Sequence, residues 1–174
     1  MNNQEEMLLT VNEDDEVTAT MTRTECHEGD GILHRAITVL LFNSRGEVLI
    51  TRRSQSKTLW PGFWDTSCST HVYPGETYEQ AGERRLPQEL GIETKLTLVT
   101  KFLYHEQFEV AGSEYEMCGL LVGACDESIV ANPQEVSEIQ WIALPHSLQE
   151  IQQSKEYTPW LSAALKQYLE YSIT

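Results

Sequence analysis

Two apolar, β-branched runs restrict this chain more than any other feature: AITVLLFN at 36–43 and EVLITRR at 47–53, parted only by Ser44-Arg45-Gly46. Side chains of this kind favour extended backbone, and a short break containing glycine between two such runs favours a hairpin. Even the longest apolar run, 36–42, falls far short of the ~20 residues that span a bilayer, so no membrane partner is expected.

The segments around this hairpin alternate in type. Residues 7–22 read as two short strands about the acidic turn Asn12-Glu13-Asp14-Asp15, and 54–75 as a loop. The stretch ETYEQAGERRLPQELGI (76–92) suits a helix with Gly91 just past its end. Pro87 removes a backbone donor, so the helix is expected to kink or tighten near Glu83 to Leu86. Strands are predicted at 95–108, 114–125 and 135–144, and helices at about 145–153 and 158–171. The last helix opens with Thr158 as a cap and Pro159 in its first turn. The expected class is α+β (mixed α/β), with a mixed sheet flanked by helices.

Composition limits what such a domain can bind. A chain of 174 residues suggests one domain, 1–174, with a single core. Lys and Arg number 12 against 27 Asp and Glu, a net charge of -15 that repels nucleic-acid backbones. A small phosphorylated substrate stays compatible if a few basic residues converge and a divalent metal offsets charge. The start, MNNQEEMLL, has no basic stretch leading into an apolar core, so a cytoplasmic location is expected. Cys26, Cys68, Cys118 and Cys125 form no C-x-x-C pair and read as buried, unpaired thiols. No heptad repeat or isolated apolar stripe sets an oligomeric state.

The histidines are few enough to weigh singly. His27 and His34 flank EGDGIL, whose glycines permit a tight loop that could bring both imidazoles to one point; His71 lies in the 54–75 loop. Glu114 and Glu116 have strand spacing and share a face. Two such acids are usually solvated, but on a buried face their repulsion demands a cation or a proton. Together these residues make a five-ligand site suited to Mg²⁺, Mn²⁺ or Zn²⁺. Arg85 and Glu89, four apart on the predicted helix, read at minimum as a salt bridge.

The helical segment resembles a degraded Nudix box, in which Glu76, Arg84, Leu86, Glu89, Gly91 and Ile92 match the signature. Thr70 stands in place of its leading glycine, and Arg85 and Gln88 in place of two of its glutamates. One branch, type I isopentenyl-diphosphate isomerase, departs from the box in the same way, and the resemblance to it runs from about Val17 to Leu169. It implies a Nudix-type sandwich. It also implies that His27, His34, His71, Glu114 and Glu116 hold a metal ion, and that Glu89 helps hold a diphosphate-bound Mg²⁺. Arg23, Arg52, Lys57 and Arg85 fall on positions that contact the diphosphate.

That isomerase moves a double bond by protonating one carbon and deprotonating another through a tertiary carbocation. Such chemistry needs an acid and a base on opposite faces, dryness and an aromatic wall. By resemblance, Glu116 with Tyr104 serves one face and Trp160 shields the cation. A cysteine serves the other face in relatives, but Ser69 occupies that position here, with Cys68 beside it. Neighbouring side chains of extended backbone point in opposite directions, so use of Cys68 would require a local rearrangement. Three functions stay open: the isomerase, a divergent Nudix hydrolase of a small diphosphate ester, and a non-catalytic prenyl-diphosphate binder.

Overall fold

The strand β3 (His34–Phe42) organises the whole fold, because its successive side chains are buried on both sides. In the computed structural model, which describes residues 5–144 and 146–172, Ile37, Val39 and Leu41 point to one core cluster and Leu40 to another. A strand covered on both faces reads as a continuous apolar run, and this is the origin of AITVLLF. The other elements are β1 (Met7–Val11), β2 (Val17–Thr22), α1 (Arg23–His27), β4 (Glu47–Arg53), β5 (Trp64–Asp65), β6 (Cys68–His71) and α2 (Tyr78–Leu90). They continue with β7 (Thr97–Phe108), β8 (Gly112–Ala124), β9 (Val136–Ala143), α3 (His146–Gln153) and α4 (Pro159–Ser172).

The nine strands of the described residues join one curled mixed sheet. β3 pairs parallel with β8 from His34↔Glu116 to Phe42↔Ala124, and antiparallel with β6 from Ala36↔His71 to Val39↔Cys68. The predicted hairpin therefore closes at its turn and then opens. β3 and β4 share only the pair Phe42↔Val48, because both edges of β3 are taken, and β4 turns away to pair with β9 and β5. α2 covers one face through Ala81, Leu86 and Leu90, and α4 covers the other through Leu161, Ala164 and Leu165. The result is the helix–sheet–helix sandwich of the expected class. No helix among the described residues is long and apolar enough to cross a membrane.

Several local expectations meet the structure differently. α2 starts at a capping box of Thr77 and Gln80 and ends at Gly91 in the left-handed region (φ 67°). It remains α-helical from Tyr78 to Leu90, Pro87 included, so no tightened turn forms near Glu83 to Leu86. The 54–75 loop contains β5 and β6, which pairing with β4 and β3 extends. α1, with its own capping box of Thr22 and Glu25, is a single turn that no apolar period announces. Pro159 does open α4. The predicted start of the preceding helix at Pro145, like the chain ends of the proposed 1–174 domain, lies outside the described residues.

Candidate active site

Strand register brings four side chains to one point, and a helix adds a fifth. His34 and Glu116 are partners across β3 and β8, and His71 lies on β6 beside Ala36, two residues along from His34. Glu114 shares the face of Glu116, and α1 delivers His27 from the side. Their ligand atoms all lie within 4.8 Å of one another.

The electrostatics of this cluster are unbalanced from within. His27 Nδ1 lies 2.7 Å from the Arg23 carbonyl, and His34 Nδ1 lies 2.7 Å from the Ile32 carbonyl. A backbone carbonyl can only accept, so both Nδ1 atoms carry protons and both Nε2 lone pairs turn inward when the rings are neutral. His27 Nε2 then faces Glu114 Oε2 at 3.0 Å and His71 Nε2 at 3.2 Å. His34 Nε2, wholly buried, has no hydrogen-bond partner and stands 3.6 Å from Glu116 Oε1. Converging lone pairs and carboxylates of this kind call for a cation, and the imidazole and carboxylate donors fit a divalent one. Burial opposes charge on His27, yet Glu114 more than offsets it and holds its pKa above the ordinary value. Burial, together with His34 and His27, presses His71 well below.

Beside the cluster lies a cavity of about 270 Å³ lined by Ser69, His71, Tyr104, Glu114, Glu116 and Trp160 among others. The Tyr104 hydroxyl donates a very short hydrogen bond to Glu116 Oε2. Burial raises the Tyr104 pKa, and the Glu116 charge raises it further, so this phenol keeps its proton. Burial also pushes Glu116 toward protonation, but its partners, the Tyr104 hydroxyl among them, overcome it and hold the carboxyl below its usual range. Tyr104 stacks on Trp160 with ring centroids 5.8 Å apart, and Trp60 meets Trp160 edge-on at 4.9 Å. One wall of the cavity is therefore aromatic.

The opposite rim is cationic. Arg23, Lys57 and Arg85 all line the cavity. Arg85 bonds Glu89 and Glu135 at 2.8 Å, and Lys57 holds Glu135. Glu89 sits beneath them, 5% exposed, and burial raises its pKa despite Arg85 and Lys57. Arg52 is the exception. It bonds the Gly62 carbonyl and Glu138, at 2.9 and 2.7 Å, away from the cavity. Alternation along β4 turns Arg53 inward instead. Arg53 bonds Asp65 at 2.9 Å and the Leu59 carbonyl at 2.8 Å.

β6 separates the two serine-loop candidates. Ser69 faces the cavity, while Cys68, 1% exposed, belongs to the core against α2. Burial, reinforced by Glu89, raises the Cys68 thiol well above its usual pKa. Without a rearrangement of β6 it reaches no substrate. Sequence reading missed Arg53, Glu135, Asp65 and the threonines beside Ser69. The doublet Arg52-Arg53 was visible, but only the pairing of β4 decides which arginine faces in.

Comparison with known proteins agrees with this geometry. The model of the NUDIX domain family matches residues 32–161. The chain is 32% identical to an isopentenyl-diphosphate Delta-isomerase of Haloarcula marismortui, covering 94% of this chain and 91% of that protein. It is 35% identical to isopentenyl-diphosphate Delta-isomerase 1 of Photorhabdus laumondii, covering 89% and 90%. Among solved structures, DR0079 of Deinococcus radiodurans superposes with a TM-score of 0.76 at 27% identity, over 94% of this chain and 99% of that one.

Proposed function

Since this chain belongs to the NUDIX domain family and, within it, to the isopentenyl-diphosphate Delta-isomerases, we propose that it interconverts isopentenyl and dimethylallyl diphosphate. One observation carries the reading: a Tyr104–Glu116 pair with a protonated phenol opens onto the same aromatic-walled cavity as a cluster built for a cation. A simple diphosphate hydrolase has no need of an aromatic wall. The Nudix-box acid Glu76 is moreover held by Arg84 at 2.6 Å rather than left free for a metal.

In this reading the isoprenyl tail lies between Tyr104–Glu116 and Ser69, with Trp160 facing the positive charge of the intermediate. Arg23, Lys57 and Arg85 take the diphosphate, and Arg53 replaces Arg52 among them. Glu89 supports the Mg²⁺ that accompanies the diphosphate. His27, His34, His71, Glu114 and Glu116 would hold Mg²⁺, Mn²⁺ or Zn²⁺, which supplies a fixed charge that orders the Glu116 carboxylate. The Tyr104–Glu116 pair, which shares the phenol proton, serves the proton step on one face of the alkene, and Trp160 faces the cation that forms. The single sheet that takes in every described strand supports treating 1–174 as one domain.

The test is NMR of isopentenyl diphosphate in D₂O with Mg²⁺, comparing wild type with Ser69→Cys. Dimethylallyl diphosphate from wild type is the expected result. Product from Ser69→Cys alone would mean that the natural chain uses the diphosphate otherwise. Phosphate release would then name a hydrolase, and silence a binder.

A further inference from the structure

Ser69 is the outer end of a chain of hydroxyls that runs into the protein. Its Oγ lies 3.0 Å from Thr66 Oγ1 and 3.3 Å from Thr38 Oγ1, and these threonines are 2.6 Å apart. Thr66 Oγ1 reaches Asp65 Oδ1 at 3.3 Å. Thr38 and Thr66 are fully buried, and Asp65 is 3% exposed. The same carboxylate accepts from the Trp160 indole N–H at 2.6 Å, from Arg53 at 2.9 Å and from the Thr158 hydroxyl at 3.4 Å. Asp65 thus joins the aromatic shield and the hydroxyl chain at one buried point.

One set of bond directions satisfies every contact in this chain. Each hydroxyl has one proton to give. Thr66 has two pure acceptors in reach, Asp65 Oδ1 and the Cys68 carbonyl, each at 3.3 Å; when it gives its proton to the charged one, which also accepts the Thr66 backbone N–H at 2.7 Å, Thr38 at 2.6 Å donates to Thr66. With its proton turned inward, Thr66 accepts from Ser69. Ser69 then spends its own proton inward and presents lone pairs to the cavity. It is set as an acceptor.

Resting on the isomerase reading, we infer that Ser69, Thr66 and Asp65 form a proton relay that acts as the base on the face where relatives place a thiol. A proton on the carbon beside a tertiary carbocation is far more acidic than any carboxylic acid, so a weak base suffices at that step. The electron pair of the breaking C–H bond becomes the new double bond. The proton passes to Ser69 Oγ as the serine's own proton moves to Thr66 Oγ1 and the threonine's to Asp65 Oδ1. Each hydroxyl gains one proton and loses one, so neither ends charged. The hydrocarbon end of the substrate becomes neutral and Asp65 becomes a carboxylic acid; once product leaves, the path reversed releases that proton to solvent, and the Tyr104–Glu116 face regains from solvent the proton it gave. Ser69 touches substrate and is catalytic, whereas Thr66 and Asp65 act through it as positioning residues.

Thr66→Val breaks the relay while keeping the shape of the side chain. Its kcat for isopentenyl diphosphate should fall ~100-fold or more, the scale of a lost general base, with KM changed by less than about threefold. Thr66→Ser should restore kcat to within about tenfold of wild type. In mixtures of H₂O and D₂O, wild-type kcat should fall along a bowed curve, since several protons move together, and Thr66→Val should straighten it. A folded Thr66→Val enzyme with wild-type kcat overturns the relay and leaves the isomerase standing. Wild type that forms no dimethylallyl diphosphate removes both. Should Thr66→Val fail to fold, the wild-type curve decides: bowed supports the relay, linear overturns it.

Discussion

Neighbouring residues of β3 feed two charged clusters of opposite character. Arg35 points to Asp15, whose carboxylate also takes Lys101 and the Tyr78 hydroxyl, at 2.6, 2.5 and 2.9 Å. His34, one residue earlier, points to His27, His71, Glu114 and Glu116. The first cluster is complete: its acid has two cations and a hydroxyl, and it ties the β1–β2 turn to β3, β7 and α2. The second brings two carboxylates together with three imidazoles and leaves His34 Nε2 unpartnered. A buried polar group normally finds its partners within the chain, so a shortfall marks a place that something else completes. Burial density does not separate structure from function here; charge balance does.

Substitutions can break that contrast in either cluster. Glu116→Gln should have the largest effect, lowering isomerase turnover ~1,000-fold or more, measured by product NMR. Unchanged turnover would remove Glu116 from the chemistry. Next, His71→Ala should weaken metal retention at least ~10-fold, read by elemental analysis after dialysis, whereas Asp15→Asn should leave metal content as it is. Equal metal loss in both would erase the distinction between the clusters.

Asp15→Asn tests the closed cluster. Asp15 has a left-handed backbone (φ 62°) that asparagine also tolerates, so the change isolates the charge. Urea unfolding should show a loss of about 1–3 kcal/mol with turnover intact. The smallest effect is in pH. Burial raises the Asp15 pKa, but Lys101, Arg35 and Tyr78 together bring it below the ordinary value. A carboxyl depressed in the folded state contributes its stability above the unfolded pKa of about 3.9 and loses it as pH falls through the folded value. The wild type and Asp15→Asn should therefore differ at neutral pH and converge in acid. A constant gap at all pH would show that Asp15 acts through shape alone.

Much of this was legible because it is local or periodic. The two-face burial of β3 is written in AITVLLF, and the C-terminal end of α2 in Gly91. The five side chains of the His/Glu cluster were legible as residue types with suggestive spacing and as matches to a family. What failed were readings that depend on pairing. β6 looked like loop because CSTH is too short and polar to announce a strand; β3 supplies the hydrogen bonds that make it one. The hairpin was overdrawn because the edges of β3 go to β6 and β8, which lie far along the chain.

By itself the sequence determined the class of fold, the Gly91 end of α2, the Pro159 start of α4 and the stock of imidazoles and carboxylates gathered in the cluster. Those follow from side-chain shape and short-range hydrogen bonding, which act within a few residues. Only the tertiary structure decided that Arg53 rather than Arg52 faces the cavity, that Ser69 faces it while Cys68 enters the core, and that Ser69 is joined through Thr66 to Asp65. The reason is geometric. A strand offers its side chains to both faces in turn, and which face becomes core and which becomes site depends on the partners that dock there.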